Sequence, residues 1–246
     1  MPEGTSEYWR KLLAIDVPPE PDFLKQYRTF HRFFRPLFYA IVSIPLRFYC
    51  HEKVYGLESL PEKPPYIIAA NHSSAMDYAA VAWALGKRRE ELYPLVTRYY
   101  YDKPWSNFWI KIAANAVKLD TVEDFLPALR VGVKILKLGG AIYVNPEGLR
   151  SPAGNLLPFR PGVGVLAVET GVPVVPVYLR NTWKVLPADA ILPRPHPVSV
   201  SFGKPMDMKT YQEKLKIKPA YEVYKEATEE IRNRVLELAA NLPLRR

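Results

Sequence analysis

The 246-residue chain has one cysteine and four histidines. A lone thiol excludes an internal disulfide and a thiolate metal cage, and it suits a reducing compartment. The histidines show no ligand spacing, so no metal site is expected. Long apolar runs are missing too. The uncharged stretch Leu37 to Leu46 has ten residues, about half of the ~20 that a bilayer span needs. Met1-Pro2-Glu3-Gly4 has no basic region followed by an apolar one, so no secretory leader is expected. Acids are in deficit, 25 against 34 Lys and Arg, which leaves a net charge of +9. Such a balance asks for an anionic partner: nucleic acid, a membrane surface or phosphorylated substrates. Proline is plentiful at 25 residues and clusters at 18–22, 61–65 and 187–197, marking loops. A hydrophobic share of 48% with 24% charged excludes a disordered polymer and a multi-spanning membrane protein. The length suits one α/β domain, or one with a small appendage.

Residues 23–51 differ from the rest, with five basic residues, no acid and nine aromatics. At helical spacing Phe23, Tyr27, Phe30, Phe34 and Phe38 share a stripe, while Lys25, Arg28, Arg32 and Arg35 group opposite. Rings at an interface and cations toward lipid phosphates are what a segment lying in the headgroup region requires. The expectation is an arm over 1–51, an amphipathic two-helix hairpin dipping into one leaflet. A helix docked on the domain's own core with a solvated basic face is the alternative.

From residue 52 onward, short β-like runs alternate with helical stretches, which predicts a mainly parallel twisted sheet flanked by helices over 52–246. Expected strands are 66–70, 92–99, 116–119, 141–144, 174–179 and 198–202. Expected helices are 75–86, 103–114, 122–138, 159–171 and 221–240, with Pro161 in a first turn and Gly171 as a C-terminal cap. Two strand ends carry chemistry. At Asn71-His72-Ser73-Ser74-Ala75-Met76-Asp77, His72 and Asp77 meet only if the histidine lies in the turn and the aspartate in the first helical turn. Asp77 would then fix the imidazole tautomer and leave the other nitrogen to take a proton from a hydroxyl. Equally, Ser74-x-x-Asp77 reads as a helix cap. At Val144-Asn145-Pro146-Glu147-Gly148-Leu149-Arg150-Ser151, Gly148 permits close backbone approach, Arg150 can grip a phosphate, and Glu147 can receive a hydroxyl or hold the arginine. A turn with a surface ion pair is the plainer reading. Cys50 has no paired base in sequence.

Together these residues resemble the glycerolipid acyltransferase family, typified by 1-acyl-sn-glycerol-3-phosphate acyltransferases. Its Asn-His-x4-Asp motif is matched by Asn71-His72 through Asp77, and its Pro-Glu-Gly-Thr-Arg-Ser motif by Pro146 to Ser151 with Leu149 for threonine. Phe159-Arg160-Pro161-Gly162 is similar to its Phe-x-x-Gly segment, and Gly171 to Val177 and Phe202 to Pro205 to later blocks. The resemblance covers about 52–206. In the remaining block, Lys118 stands in Ala116-Val117-Lys118-Leu119-Asp120 where the family carries a later arginine, and it is the candidate replacement.

The resemblance implies acyl transfer from acyl-CoA or acyl carrier protein to a lysophospholipid hydroxyl, with no cofactor. His72 is the implied base and Asp77 its orienter. Glu147, Gly148, Arg150 and Lys118 are the implied holders of the acceptor phosphate, and amides near the start of the following helix the oxyanion donors. Lys25, Arg28, Phe30, Arg32, Phe34, Arg35 and Phe38 would meet a membrane surface with anionic lipids, on its cytoplasmic face. Other readings are a different acceptor, such as another lysophospholipid or glycerol-3-phosphate, and a non-catalytic lipid-binding protein. Nucleic acid is not expected as a partner, since no RNA-recognition signature is present.

Overall fold

The computed structural model describes residues 5–27, 31–102, 110–119, 126–187, 190 and 192–243. Its elements in chain order are α1 (Ser6–Leu12), α2 (His31–Phe38), a π turn (Tyr39–Ser43), α3 (Ile44–Tyr49), β1 (Lys53–Tyr55), β2 (Ile67–Ala70), α4 (Asp77–Leu85), β3 (Leu92–Thr97), α5 (Arg98–Tyr101), β4 (Val117–Leu119), α6 (Leu126–Lys137), β5 (Ala141–Val144), α7 (Gly162–Thr170), β6 (Val174–Arg180), α8 (Thr182–Val185), β7 (Ser199–Phe202), α9 (Lys209–Lys214) and α10 (Ala220–Asn241). The expected helix over 103–114 lies mostly outside the described residues, and the expected start of the 122–138 helix does too.

Seven strands form one sheet in the order β1-β7-β6-β2-β5-β3-β4. From β6 to β4 all neighbours are parallel. β7 runs antiparallel to β6 and parallel to β1, so the mainly parallel expectation holds, with two reversed strands at one edge. β1 is an addition that its short sequence did not announce. The expected strand 92–99 stops at Thr97, where α5 begins.

Strand β2 is apolar at every position because helices cover both faces. Ile67 and Ala69 point into a core with α1, α6, α7 and α10, while Ile68 and Ala70 point into a second core with α4 and the arm. α6 shows the rule for a one-sided helix: Leu129, Val133 and Leu136 are buried, and Arg130 and Lys137 reach back to the carbonyls of Leu12 and Val17. α7 ends as expected at Gly171, whose φ of 67° suits a residue without Cβ and lets its amide bond to Ala167.

The N-terminal region departs from the expected hairpin. Residues 6–27 belong to the first core: Leu13, Ile15 and Leu24 are buried there, and Phe23 and Tyr27 pack against it. On the other face, helical turns succeed one another without a break from His31 to Tyr49. A single helix replaces the hairpin because Pro45 does not interrupt it. Its missing amide would have bonded Ile41, and the wider π turn immediately before it takes up the misfit.

That helix also turns differently from the expected wheel. Arg35 is only 3% exposed and is held by Glu90 at 2.7 Å, the Ile112 carbonyl at 3.1 Å and Asn115 Oδ1 at 3.1 Å. It fastens the arm to the domain and does not face lipid. Phe38 packs inward beside Tyr39, whose hydroxyl donates to the Ala113 carbonyl. Among the described residues the outer stripe is Phe34, Leu37, Ile41, Ile44 and Phe48, the last 73% exposed. Lys25 pairs with Asp22 in a separate turn, and Arg47 pairs with Glu52, so these cations form no continuous basic face. Arg28 and Phe30 lie outside the described residues, as does the side chain of Arg32. No helix of the described residues is long and apolar enough to cross a membrane.

Candidate active site

The ends of β2, β5 and β6 converge on one edge of the sheet, where parallel strands present loops to a ligand. β2 runs out at Ala70, and Asn71 closes the gap to β6: its Oδ1 accepts from the Leu179 amide at 2.7 Å and its Nδ2 donates to the Leu179 carbonyl at 3.0 Å. A side chain therefore continues the strand ladder one residue further. On the other side Asn145, just past β5, donates to the carbonyls of Ala70 and Asn71 at 3.1 and 3.0 Å. Locked between two asparagines, the chain turns at His72.

Asp77 opens α4 and looks back into this turn. Its Oδ2 meets His72 Nδ1 at 2.8 Å and accepts the amides of Ser73 and Ser74 at 2.7 and 2.9 Å. Capping and orienting are thus one arrangement. The aspartate that satisfies the turn amides also fixes the imidazole. With Nδ1 facing the carboxylate, Nε2 is the nitrogen left to accept a proton. Asp77 is 1% exposed, whereas the His72 side chain is 23% exposed. Ser74 Oγ accepts the Met76 amide and donates to the Leu186 carbonyl, and Ser73 Oγ bonds Thr182 Oγ1 at 2.9 Å. Both serines are thereby turn residues. The amides of Ser73 and Ser74 are committed to Asp77, so these two are spent within the turn.

Glu147 is a correction to the expected phosphate site. It is buried and turned away from the loop surface, accepting the His72 amide at Oε1 (2.8 Å) and the Leu157 amide at Oε2 (3.2 Å). A carboxylate so engaged braces the histidine, and its charge would repel a phosphate. Burial pushes its pKa up to about 7, with the two amides pulling the other way. The His72 carbonyl is held in turn by the Ser151 amide at 2.8 Å. The two motifs, 75 residues apart, are therefore stitched backbone to backbone.

Gly148 has φ of 72°, and a Cβ there would stand 2.6 Å from Arg160 Nε. Arg150 is half-buried in the same turn, and Leu149 is 60% exposed. Lys118 is not brought to this turn. It sits on β4, the far edge strand, paired with Asp102 at 2.7 Å and near the Tyr101 ring. Asn145, Thr182, the Leu157 amide and Arg160 complete the site without having been expected there. Asn145 carries one readable signal, since it follows a buried strand as Asn71 does. A cavity of about 580 Å³ lies elsewhere, between the Gly203–Met206 segment and α10, where Arg234 is paired with Glu230 and Glu237.

The acyltransferase family model matches residues 51–180. A chloroplastic 1-acyl-sn-glycerol-3-phosphate acyltransferase of Brassica napus is 31% identical over 163 residues, which cover 65% of this chain and 45% of that protein. The alpha 1-acyl-sn-glycerol-3-phosphate acyltransferase of Homo sapiens is 26% identical over 134 residues, covering 52% and 45%. The chain thus spans about half the length of the curated relatives it matches. The crystal structure of the 1-acyl-sn-glycerophosphate (LPA) acyltransferase PlsC from Thermotoga maritima superposes with a TM-score of 0.61 at 25% identity, covering 97% of this chain and 96% of that one. With its sheet, its His72–Asp77 turn and the matched segment spanning both motifs, the chain belongs to the acyltransferase family.

Proposed function

We propose that the protein moves an acyl group from an acyl thioester, acyl-CoA or acyl carrier protein, to the free hydroxyl of a lysophospholipid, 1-acylglycerol-3-phosphate giving phosphatidate. The observation that carries this reading is the 2.8 Å contact between His72 Nδ1 and the buried Asp77, at an open strand end. His72 Nε2 takes the hydroxyl proton as the oxygen attacks the thioester carbonyl. Asp77 stabilises the imidazolium so formed. Collapse of the tetrahedral intermediate breaks the carbon–sulfur bond, and the imidazolium returns its proton to the departing thiolate. An ester and a free thiol result, with no cofactor and no water consumed. The base accounts for about 10²–10⁴-fold, and holding two lipid-borne reactants together supplies more.

Both reactants partition into bilayers. The stripe Phe34, Leu37, Ile41, Ile44 and Phe48 supports docking on one leaflet, and the net charge of +9 favours anionic lipids on a cytoplasmic face. Arg150, half-buried in the Glu147 turn, is the cation of the expected phosphate set that this reading assigns to the acceptor. Because Lys118 is engaged with Asp102, a second acceptor class, another lysophospholipid or glycerol-3-phosphate, stays within the reading. Thiol release from palmitoyl-CoA, with and without lysophosphatidate, tests it. The wild type is expected to release thiol only with the acceptor, and His72→Ala to lose at least about two orders of magnitude. A folded His72→Ala protein with near-normal turnover would remove the base.

A further inference from the structure

Arg160 stands out among the cations near the catalytic turn. It is exposed, and among the described residues no acid pairs with its guanidinium. Most other arginines of the domain are spent: Arg35 on Glu90, Arg47 on Glu52, Arg180 on carbonyls at the end of α10, Arg232 on the Leu157 carbonyl, and Arg234 on two glutamates. Its position is nonetheless built. The Arg160 amide donates to the Pro146 carbonyl at 2.8 Å, which aligns its segment against the Glu147 turn. The stem then lies on the open side of Gly148, where an added Cβ would stand 2.6 Å from Nε and 3.0 Å from both Cδ and Cζ. Gly148 therefore has two requirements to meet, a positive φ and room for an arginine. The same turn holds His72 through Glu147 and Ser151, so Arg160 is tied to the base by three short hydrogen bonds, two between backbones and one through the Glu147 carboxylate.

We propose that Arg160 binds a substrate phosphate monoester and so supplies, beside Arg150, the second cation that Lys118 does not. The inference rests on the acyl-transfer reading of this site and deepens it. A planar guanidinium with no competing carboxylate among the described residues presents paired donors to phosphate oxygens. Phosphate monoesters occur on both sides of the reaction, as the headgroup of lysophosphatidate and as the 3′-phosphate of CoA. The shared chemistry is one dianionic group with three acceptor oxygens.

The test uses the full chain and steady-state kinetics of Arg160→Ala and Arg160→Lys. In the acceptor arm, lysophosphatidate is compared with monoacylglycerol. In the donor arm, palmitoyl-CoA is compared with its 3′-dephospho form. Arg160→Ala is expected to raise the KM of one phosphorylated substrate about 10–100-fold, with a far smaller fall in kcat. KM for that substrate's phosphate-free counterpart should not move, and Arg160→Lys should recover part of the loss. The arm that responds identifies which phosphate is held. Unchanged KM values in both arms, or equal losses with and without the phosphate, would overturn the proposal. Calorimetric binding of glycerol 3-phosphate separates this failure from failure of the reading beneath it. A wild type that binds it through Arg160 but releases no thiol loses acyl transfer and keeps the anion site.

Discussion

At the strand ends, polar side chains are spent on fixing backbone: Asn71 on Leu179, Asn145 on Ala70, Asp77 on Ser73 and Ser74, and Glu147 on His72 and Leu157. On the arm the distribution is reversed. Arg35 faces inward beside Phe38 and Tyr39, while the apolar residues Phe34, Leu37, Ile41, Ile44 and Phe48 are exposed along three- and four-residue steps. The candidate active-site turn is specified from inside the protein, by contacts that engage Nδ1 of His72 and not Nε2. The outer face of the arm is specified by nothing in the domain, and it fits a solvent that the domain does not contain. The proposed docking on one leaflet calls for both kinds of surface.

The largest effect is expected where specification is densest. Asp77→Asn keeps the size of the side chain but turns an amide group toward donors, so it misplaces the tautomer and frays the Ser73–Ser74 turn together. Thiol release should fall by about 10³-fold, and acyl transfer by an asparagine variant at wild-type rate would show that the 2.8 Å contact is only a cap. The arm offers the converse experiment. Ile41→Asp with Phe48→Asp touches no internal contact, so stability should stay within about 0.5 kcal/mol. Each residue would, however, forfeit about 1.5–3 kcal/mol of apolar burial in lipid. Co-sedimentation with anionic vesicles should then drop at least about tenfold, and unchanged binding would break the comparison. Between these lies Arg35→Met. It leaves the Ile112 carbonyl and Asn115 Oδ1 without their donor, while half-exposed Glu90 can turn to water. A loss of about 2–3 kcal/mol in urea unfolding is expected, with the arm released first to proteolysis.

How far all this could be read from sequence follows the range of the interactions. The parallel sheet was legible because its central strands β2, β5 and β6 are short, mostly apolar runs bounded by turn residues, whereas three-residue β1 was not. His72 and Asp77 were legible because they lie five residues apart, so whether they meet depends only on a local feature, the helix starting after the Ser73-Ser74 break. Glu147 was misread because its partner is a backbone amide 75 residues away, and no periodicity encodes such a contact. The arm was misphased for another reason. A helical wheel separates basic from aromatic residues but cannot say which side meets the domain, and buried Asn115 and the Ile112 carbonyl, with half-exposed Glu90 at their rim, drew Arg35 in. Arg160 went unassigned because its place depends on a glycine twelve residues earlier being bare.

The smallest effect sharpens the comparison most, because it asks what the bracing costs. Burial raises the Glu147 carboxyl from 4.5 to about 7. A raised acid contributes stability that is fully present below its unfolded value, near 4.5, and lost as pH rises through the folded value, near 7. Over that window the wild type should lose on the order of 2 kcal/mol through this group. Glu147→Gln cannot titrate, and its single oxygen serves one of the two amides, a deficit of about 1 kcal/mol that is insensitive to pH. Buried Glu52, also raised to about 7 by burial, titrates alike in both proteins and cancels in the difference. Urea titrations at pH 5 and pH 7.5 should therefore show the glutamine variant weaker at the lower pH and level with or above the wild type at the higher one. A gap that stays constant would mean that Glu147 remains charged throughout, held by the His72 and Leu157 amides strongly enough to offset its burial, and the turn would then rest on a fixed anion.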